Sequence, residues 1–179
     1  MPRKRSELKR EEKQAQILDT AVELLRNGDL DAVSINRVAQ ELGLARAAIY
    51  WYYPTRDRLL AAACAQVLIE TFANPPRLDT LEQRIEWGVS RFAEVHPLYA
   101  ALQQLVDREP EAALWLQQFQ QRLCSGLSSS LATRVPAERL DAVVETLVIF
   151  IEGLLGRRLP PAERSQHLQA ALQMLIPGR

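Results

Sequence analysis

The side chains best suited to chemistry in this 179-residue chain are concentrated between Ser34 and Tyr53. Hydroxyl, amide and guanidinium groups occur there, and the stretch ends in four consecutive aromatic residues, Tyr50-Trp51-Tyr52-Tyr53. The chain has no nucleophile elbow, glycine-rich phosphate loop, HExxH or CxxC motif, so we expect no enzyme. Noncovalent hydrogen bonding is the chemistry that these residues favour.

Two short helices are predicted to position these side chains. Ser34 can cap the first helix, whose apolar residues follow helical spacing at Ile35, Val38, Ala39 and Leu42. Gly43 breaks that helix, and a second follows over about residues 45–52 before Pro54 ends it. Two helices joined by a tight glycine turn form a helix-turn-helix, whose second helix fits the DNA major groove.

Arg46 is the only long hydrogen-bond donor on the leading face of this second helix, next to Ala45, Ala47 and Ala48. An arginine in this place suits the bidentate contact with guanine, and short neighbours let the backbone approach the base edges. The same spacing also fits a purely structural helix pair, so geometry alone leaves both interpretations open.

Residues 14–60 resemble the N-terminal domain of the TetR family of bacterial transcriptional regulators. The resemblance is carried by residues 17–21, 34–44 and 49–59. Its most diagnostic string runs from Ile49 to Leu59. The string begins with an apolar residue, Tyr50 and Trp51, and continues with two more aromatic residues, a turn, a basic residue and an acidic residue.

The resemblance implies two kinds of contact with double-stranded DNA. The base-reading positions are Asn36, Arg46 and Ala47. The phosphate-contacting positions are Ser34, Arg37, Tyr50, Tyr52 and Arg56. The chain departs from the family pattern at Ala45, where a hydroxyl cap is usual, and at Tyr53, where phenylalanine is usual. Trp51 is expected to pack on neighbouring helices rather than touch DNA.

Helical spacing recurs through the whole chain and no segment alternates as a strand, which predicts an all-α fold of about nine helices. We expect an N-terminal arm and three-helix head over residues 1–56 and a larger helical domain over residues 57–179. The predicted boundaries include a first helix from Gln14 to a left-handed stop at Asn27-Gly28, caps at Thr55 and at Asp79 with Glu82, and new helices at His96-Pro97, Pro110, Pro136 and Pro160-Pro161.

A helix predicted over 137–158 has two apolar sides, which suggests that one side faces a second subunit. The narrower side consists of small or slim residues that would let another helix approach closely. Together with the last helix it predicts a homodimer interface at Ala142, Thr146, Ile149, Gly153, Leu168 and Leu172. The alternative is that both sides are buried within one chain.

By resemblance, the middle of the chain holds a pocket for a small-molecule effector. The aromatic and polar residues predicted to line it are Trp87, Phe92, His96, Tyr99, Gln103, Trp115 and Phe119. An apolar lining with few polar anchors favours a hydrophobic ligand over a sugar or a phosphate. The alternative is an aromatic core without a cavity. No cofactor and no metal site are expected.

Charge and composition agree with a cytoplasmic protein that is not a membrane protein. The 22 basic and 22 acidic residues balance, yet six of the basic ones lie within the first thirteen positions. There Arg3-Lys4-Arg5 is either a solvated tail or an arm that follows DNA. The two cysteines, Cys64 and Cys124, are not spaced as a pair.

These observations predict a dimeric DNA-binding regulator, most simply a repressor that a hydrophobic ligand releases from a near-palindromic operator. Two alternatives stay open. One is a regulator gated by a protein partner or by no ligand. The other is a helical ligand-binding or interaction protein whose DNA-binding head is vestigial.

Overall fold

A computed structural model describes residues 5–176 of the chain. Within this range the regular structure is entirely helical, with eight α-helices and a short 3-10 helix, Leu30–Ala32. The α-helices are α1 Arg5–Asn27, α2 Ile35–Glu41, α3 Arg46–Tyr50, α4 Arg56–Thr71, α5 Leu81–Leu105, α6 Pro110–Leu131, α7 Ala137–Gly156 and α8 Pro161–Leu175. The all-α prediction is confirmed, and the predicted count of about nine is close.

The helix start predicted at His96-Pro97 is wrong, because Pro97 lies inside α5 instead of starting a new helix. Proline lacks an N–H donor and its ring crowds the carbonyl four residues earlier, which ordinarily kinks or ends a helix. Buried residues nevertheless continue at helical spacing on both sides of it, at Phe92, Val95, Tyr99 and Leu102. The burial of this apolar stripe outweighs the loss of one backbone hydrogen bond.

The predicted caps differ in outcome. The Thr55 hydroxyl accepts a hydrogen bond from the Arg58 N–H at 2.9 Å, so the predicted cap of α4 is confirmed. The cap of α5 is shifted by one residue from the prediction. Thr80 accepts from the Gln83 N–H at 3.1 Å, and the Gln83 side chain accepts in return from the Thr80 N–H at 3.3 Å. This reciprocal pair is a capping box.

Helix α1 is longer than predicted, since it begins at Arg5 rather than near Gln14. Between Glu7 and Gln16 every residue except Lys13 is exposed, and burial begins at Ile17. The helix ends at Asn27 as predicted, but Gly28 is not left-handed. A Cβ there would lie 2.8 Å from that of Ala32, so close approach of the chain is what requires glycine.

The chain forms two compact units. The first comprises the residues up to Glu70 together with Pro97–Leu116, and the second comprises Thr71–His96 together with the residues from Gln117 onward. The division of the sequence at residue 56 stays a prediction. The predicted basic arm lies outside the described residues at Arg3 and Lys4. Among the described helices, none is both long and apolar enough for a membrane span.

Candidate DNA-binding interface

The helix-turn-helix is built from α2 and α3 and a turn that only glycine adopts readily. Gly43 has φ of +61°, and the N–H of the following residue, Leu44, donates to the Ala39 carbonyl at 2.9 Å. A side chain at Gly43 would be strained in this left-handed conformation, although no atom would obstruct a Cβ there. The predicted break at Gly43 is therefore confirmed by its backbone geometry.

The two helices begin differently. The Ser34 hydroxyl oxygen accepts a hydrogen bond from the Arg37 N–H at 3.2 Å, which caps α2 as predicted. Ala45 precedes α3 without a side-chain cap. Helix α3 is instead anchored by its inward-facing side, where Ile49 is fully buried. Burial of Ile35, Val38 and Ala39 anchors α2 in the same unit.

The predicted base-reading residues are all exposed, and two of them touch. Arg46 Nη1 donates a hydrogen bond to Asn36 Oδ1 at 3.3 Å, so the first residue of α3 is linked to the second residue of α2. Ala47 is exposed beside Arg46. The structure thus brings the guanidinium and the amide together on one surface, as the prediction of a shared function requires.

The four consecutive aromatic residues divide between surface and core. Tyr50 and Trp51 are 49% and 73% exposed, whereas Tyr53 is only 4% exposed and Tyr52 is half-buried. The expectation that Trp51 packs on neighbouring helices is therefore wrong. Trp51 keeps helical dihedral angles as the C-cap of α3, so a rotation of about 200° over two residues places it opposite the buried Ile49.

Tyr53 stands where the family resemblance has a phenylalanine, and its hydroxyl has a hydrogen-bond partner inside the unit. Burial raises the pKa of Tyr53 above its ordinary value, and a hydrogen bond with the Gln14 side chain partly offsets that rise. The ring thus fills the apolar position while α1 satisfies its polar atom.

The Arg56 guanidinium forms hydrogen bonds within the protein and does not point only at solvent. Its Nε donates to the Val33 carbonyl at 2.8 Å, and its Nη2 donates to the Leu30 carbonyl at 2.6 Å. Nη2 also lies 3.3 Å from Asp31 Oδ1. The guanidinium therefore holds the segment that leads into Ser34. Sequence reasoning missed this role because the partners lie more than twenty positions away along the chain.

A second polar cluster joins the first turn of α4 to the start of α6. The Thr55 hydroxyl donates to Glu109 at 2.5 Å, and Arg108 forms an ion pair with Asp57 at 2.8 Å. Arg58 pairs with Glu111 in the same cluster. These partners lie more than fifty positions apart along the chain, so the cross-helix pairs are a finding of the structure.

Comparison with known families identifies this segment. Residues 17–63, from α1 into α4, match the family model described as bacterial regulatory proteins, tetR family. The chain carries a TetR-family domain. This match confirms the resemblance that residues 14–60 had indicated. No curated protein matches the sequence significantly.

Solved structures extend the TetR-like fold over most of the chain. A tetR-family transcriptional regulator from Streptomyces coelicolor has a TM-score of 0.67 at 23% identity, with 92% of this chain and 82% of that one covered. A putative transcriptional regulator from Saccharomonospora viridis, solved with choline, gives 0.66 at 17% identity, with 94% and 100% covered. The multidrug binding protein EbrR, solved with proflavin, gives 0.62 at 18%, with 88% and 98% covered.

In the second unit of this TetR-like chain, aromatic rings form a cluster. Phe72 lies edge-on to Trp87 at 6.0 Å between ring centroids and tilted to Phe119 at 5.6 Å. Phe92 contacts Phe119 at 5.7 Å and His96 at 5.9 Å. Burial lowers the pKa of His96, and nearby Glu152 partly opposes this. An uncharged imidazole is therefore favoured beside the rings.

The seven residues predicted for the pocket divide between the two units. Trp87, Phe92, His96 and Phe119 belong to the aromatic cluster, and Phe72 is the member that the sequence missed. Tyr99, Gln103 and Trp115 belong to the first unit, where Tyr99 is buried, Trp115 is half-buried and Gln103 is exposed. A pocket stays a prediction. Among the described residues, no group of three or more potential metal ligands occurs.

The predicted dimer surface is partly open in the TetR-like chain. On α7, Ala142, Thr146 and Gly153 are exposed and Ile149 is 65% exposed. On α8, by contrast, Leu168 and Leu172 are 3% and 8% exposed, so they pack within the chain. The other side of α7 is buried through Val143, Val144, Leu147, Ile151, Leu154 and Leu155, as its spacing predicted.

Proposed function

We propose that this protein is a sequence-specific, double-stranded DNA-binding regulator that acts as a homodimer, most simply as a repressor released by a small ligand. The observation that carries the proposal is the exposed Arg46–Asn36 pair, held across the turn of a TetR-family helix-turn-helix. A guanidinium and an amide are the groups with which proteins most often read base edges in the major groove.

Phosphate contacts would set the position of this pair on the duplex without reading sequence themselves. Ser34 uses a lone pair for its cap, so its hydroxyl proton can still be donated to a phosphate oxygen. Tyr50 is exposed beside the end of α3 and can donate in the same way. Arg37, Tyr52 and Arg56 complete the proposed set of phosphate contacts.

A homodimer would place two such heads on one duplex. Its support is the exposed strip of α7, where Ile149 is flanked by Ala142, Thr146 and Gly153, because an isoleucine among small residues suits helix-to-helix packing. Two reading helices about 34–36 Å apart would select a near-palindromic operator. Leu168 and Leu172 support this interface from beneath rather than by direct contact.

Ligand control is proposed from the aromatic cluster around Phe92 and Phe119, whose rings favour a hydrophobic or aromatic molecule. Two proteins of similar fold were solved with choline and with proflavin, which supports a small-molecule ligand here. A dimer would have one form that fits the operator well and another that fits it poorly. A ligand that prefers the second form lowers the affinity for DNA, and the operator lowers the affinity for the ligand by the same factor.

The test is an electrophoretic shift with a duplex taken from upstream of the protein's own gene. We expect the parent to bind this duplex more tightly than a scrambled one, Arg46→Ala to reduce the difference, and Arg122→Ala to keep it. Arg122 is a matched control because it is an exposed arginine in the second unit. Equal binding of both duplexes by the parent would mean that the head is vestigial.

The ligand arm of the test adds proflavin and related aromatic compounds to the complex. Release of the duplex supports ligand control. A complex that a broad panel of such compounds leaves unchanged supports control by a protein partner or none.

A further inference from the structure

The hydrogen bond between Arg46 and Asn36 determines which atoms this pair can offer to a base. A guanidinium carries only donors, so the side-chain atom of Asn36 that faces Arg46 Nη1 at 3.3 Å is necessarily the oxygen. The amide orientation, which is often ambiguous for asparagine, is therefore settled by the chemistry of its partner.

This orientation matters because a free asparagine reads adenine with both of its polar atoms. Its oxygen accepts from the adenine amino group while its nitrogen donates to N7. In this protein Asn36 Oδ1 already accepts from Arg46, so a second donor to this oxygen would have to approach the guanidinium. An adenine amino group there would meet the guanidinium N–H groups with like partial charge.

The remaining polar groups of the pair are mainly donors. Arg46 keeps N–H groups that do not face Asn36, and Asn36 keeps both N–H groups of its amide. Guanine presents two adjacent acceptors in the major groove, O6 and N7, and thymine presents O4. Adenine presents an amino donor beside its N7 acceptor, and cytosine presents an amino donor. The nearest α3 side chains, Ala47 and Ala48, add no competing polar group.

We infer that Arg46 and Asn36 act as one donor unit that selects guanine and, at the neighbouring position, a base that presents acceptors but no amino donor in the major groove, either guanine or thymine. This inference rests on the proposed function and names the bases that the same site prefers. Because the pair is already joined in the free protein, less side-chain freedom is lost when it meets DNA.

The test is selection of bound duplexes from a randomised pool by the full-length protein, followed by sequencing. For the parent we expect guanine at one position of each half-site and guanine or thymine beside it. Replacing that guanine by adenine should weaken parent binding roughly 5-fold to 150-fold. Replacing it by 7-deazaguanine, which lacks the N7 acceptor, should also weaken the parent but not Arg46→Ala.

Two variants separate the paired arrangement from two independent readers. Arg46→Ala frees the Asn36 oxygen, so its selected sites should lose the guanine and gain adenine at the neighbouring position. Asn36→Asp keeps an acceptor for Arg46 but removes the amide donors, so it should keep the guanine and turn the neighbouring position towards cytosine, whose amino group a carboxylate accepts. Arg122→Ala should select the parental sites.

Adenine at the Asn36-dependent position of the parental sites would overturn the inference while leaving sequence-specific binding intact. So would a motif that neither variant changes. A parent that enriches no motif would overturn the proposed function, and this inference with it. Because both side chains are exposed, circular dichroism should show parental helix content for each variant.

Discussion

The Arg56 guanidinium donates to the Val33 carbonyl at 2.8 Å, across 23 positions of the chain. Val33 directly precedes Ser34, the cap of the first helix of the helix-turn-helix. The first residue of α4 thus holds the backbone at the point where the helix-turn-helix begins.

Replacing Arg56 by methionine should lower the free energy of unfolding by about 1–3 kcal/mol, because two backbone carbonyls lose their donor. Urea unfolding at neutral pH measures this. Arg37→Met is the control, since Arg37 is exposed and only its backbone N–H is seen to bond. Equal effects of the two substitutions would contradict the positioning role of Arg56.

The proposed phosphate contact of Arg56 has its own readout. If Arg56→Met removes one phosphate contact, the slope of log Kd against log salt should fall by about one unit while the preferred sequence stays unchanged. The measurement is DNA binding at several salt concentrations. An unchanged slope would leave Arg56 with only its internal hydrogen bonds.

Tyr50 and Tyr53 offer a matched pair of hydroxyl deletions three residues apart. Tyr50→Phe should weaken binding to all duplexes alike by about 1–2 kcal/mol, because an exposed hydroxyl can no longer donate to a phosphate. Tyr53→Phe should leave DNA binding unchanged, since that ring is buried and its hydroxyl bonds Gln14. Fluorescence anisotropy of labelled duplexes measures both, and a reversed pattern would refute the assignment.

The predicted dimer surface can be tested at Gly153, where an added Cβ has no atom from outside its own stretch of helix within 4 Å. Gly153→Trp should leave the monomer fold intact, obstruct the approach of a second α7, and shift sedimentation velocity towards the monomer. Gly126→Trp on α6, also in open space, is the control and should not change assembly. A parental sedimentation profile for Gly153→Trp would rule out this surface.

Cys64 should make stability fall at alkaline pH. Burial raises its pKa from 9.0 to about 12, so the unfolded chain releases this proton at lower pH than the folded one. The contribution is constant below about pH 9 and falls between there and about pH 12, by about 1.4 kcal/mol per pH unit. Urea unfolding at pH 8 and 10 should show the extra loss in the parent but not in Cys64→Ala. Identical pH dependence would contradict it.

The helix-turn-helix was predictable because its signals are local. Ser34 acts on the N–H three residues ahead, and Gly43 acts through its own φ, so a single short window contains both cause and effect. The caps at Thr55 and Thr80 act over equally short distances along the chain. The cap of α5 was predicted one residue too early because Asp79, a carboxylate, directly precedes the Thr80 hydroxyl.

Features set by distant partners could not be predicted. The carbonyls that bind Arg56 and the carboxylates that bind Arg58 and Arg108 are brought near only by the packed unit. Pro97 shows the same limit, because its local effect ends helices and only the burial around it keeps α5 continuous. Residue type also misled at Trp51, since a large apolar ring usually packs inside a protein.

Helix α1 combines two regions of unequal stability in one continuous element. From Ile17 to Leu25 its backbone lies over the core, whereas almost every residue from Glu7 to Gln16 is exposed. A helical segment without a buried face is held mainly by its own marginal propensity. Amide protons of the first turns should therefore exchange with deuterium almost as fast as those of a free peptide, while those after Ile17 exchange only when the whole unit unfolds.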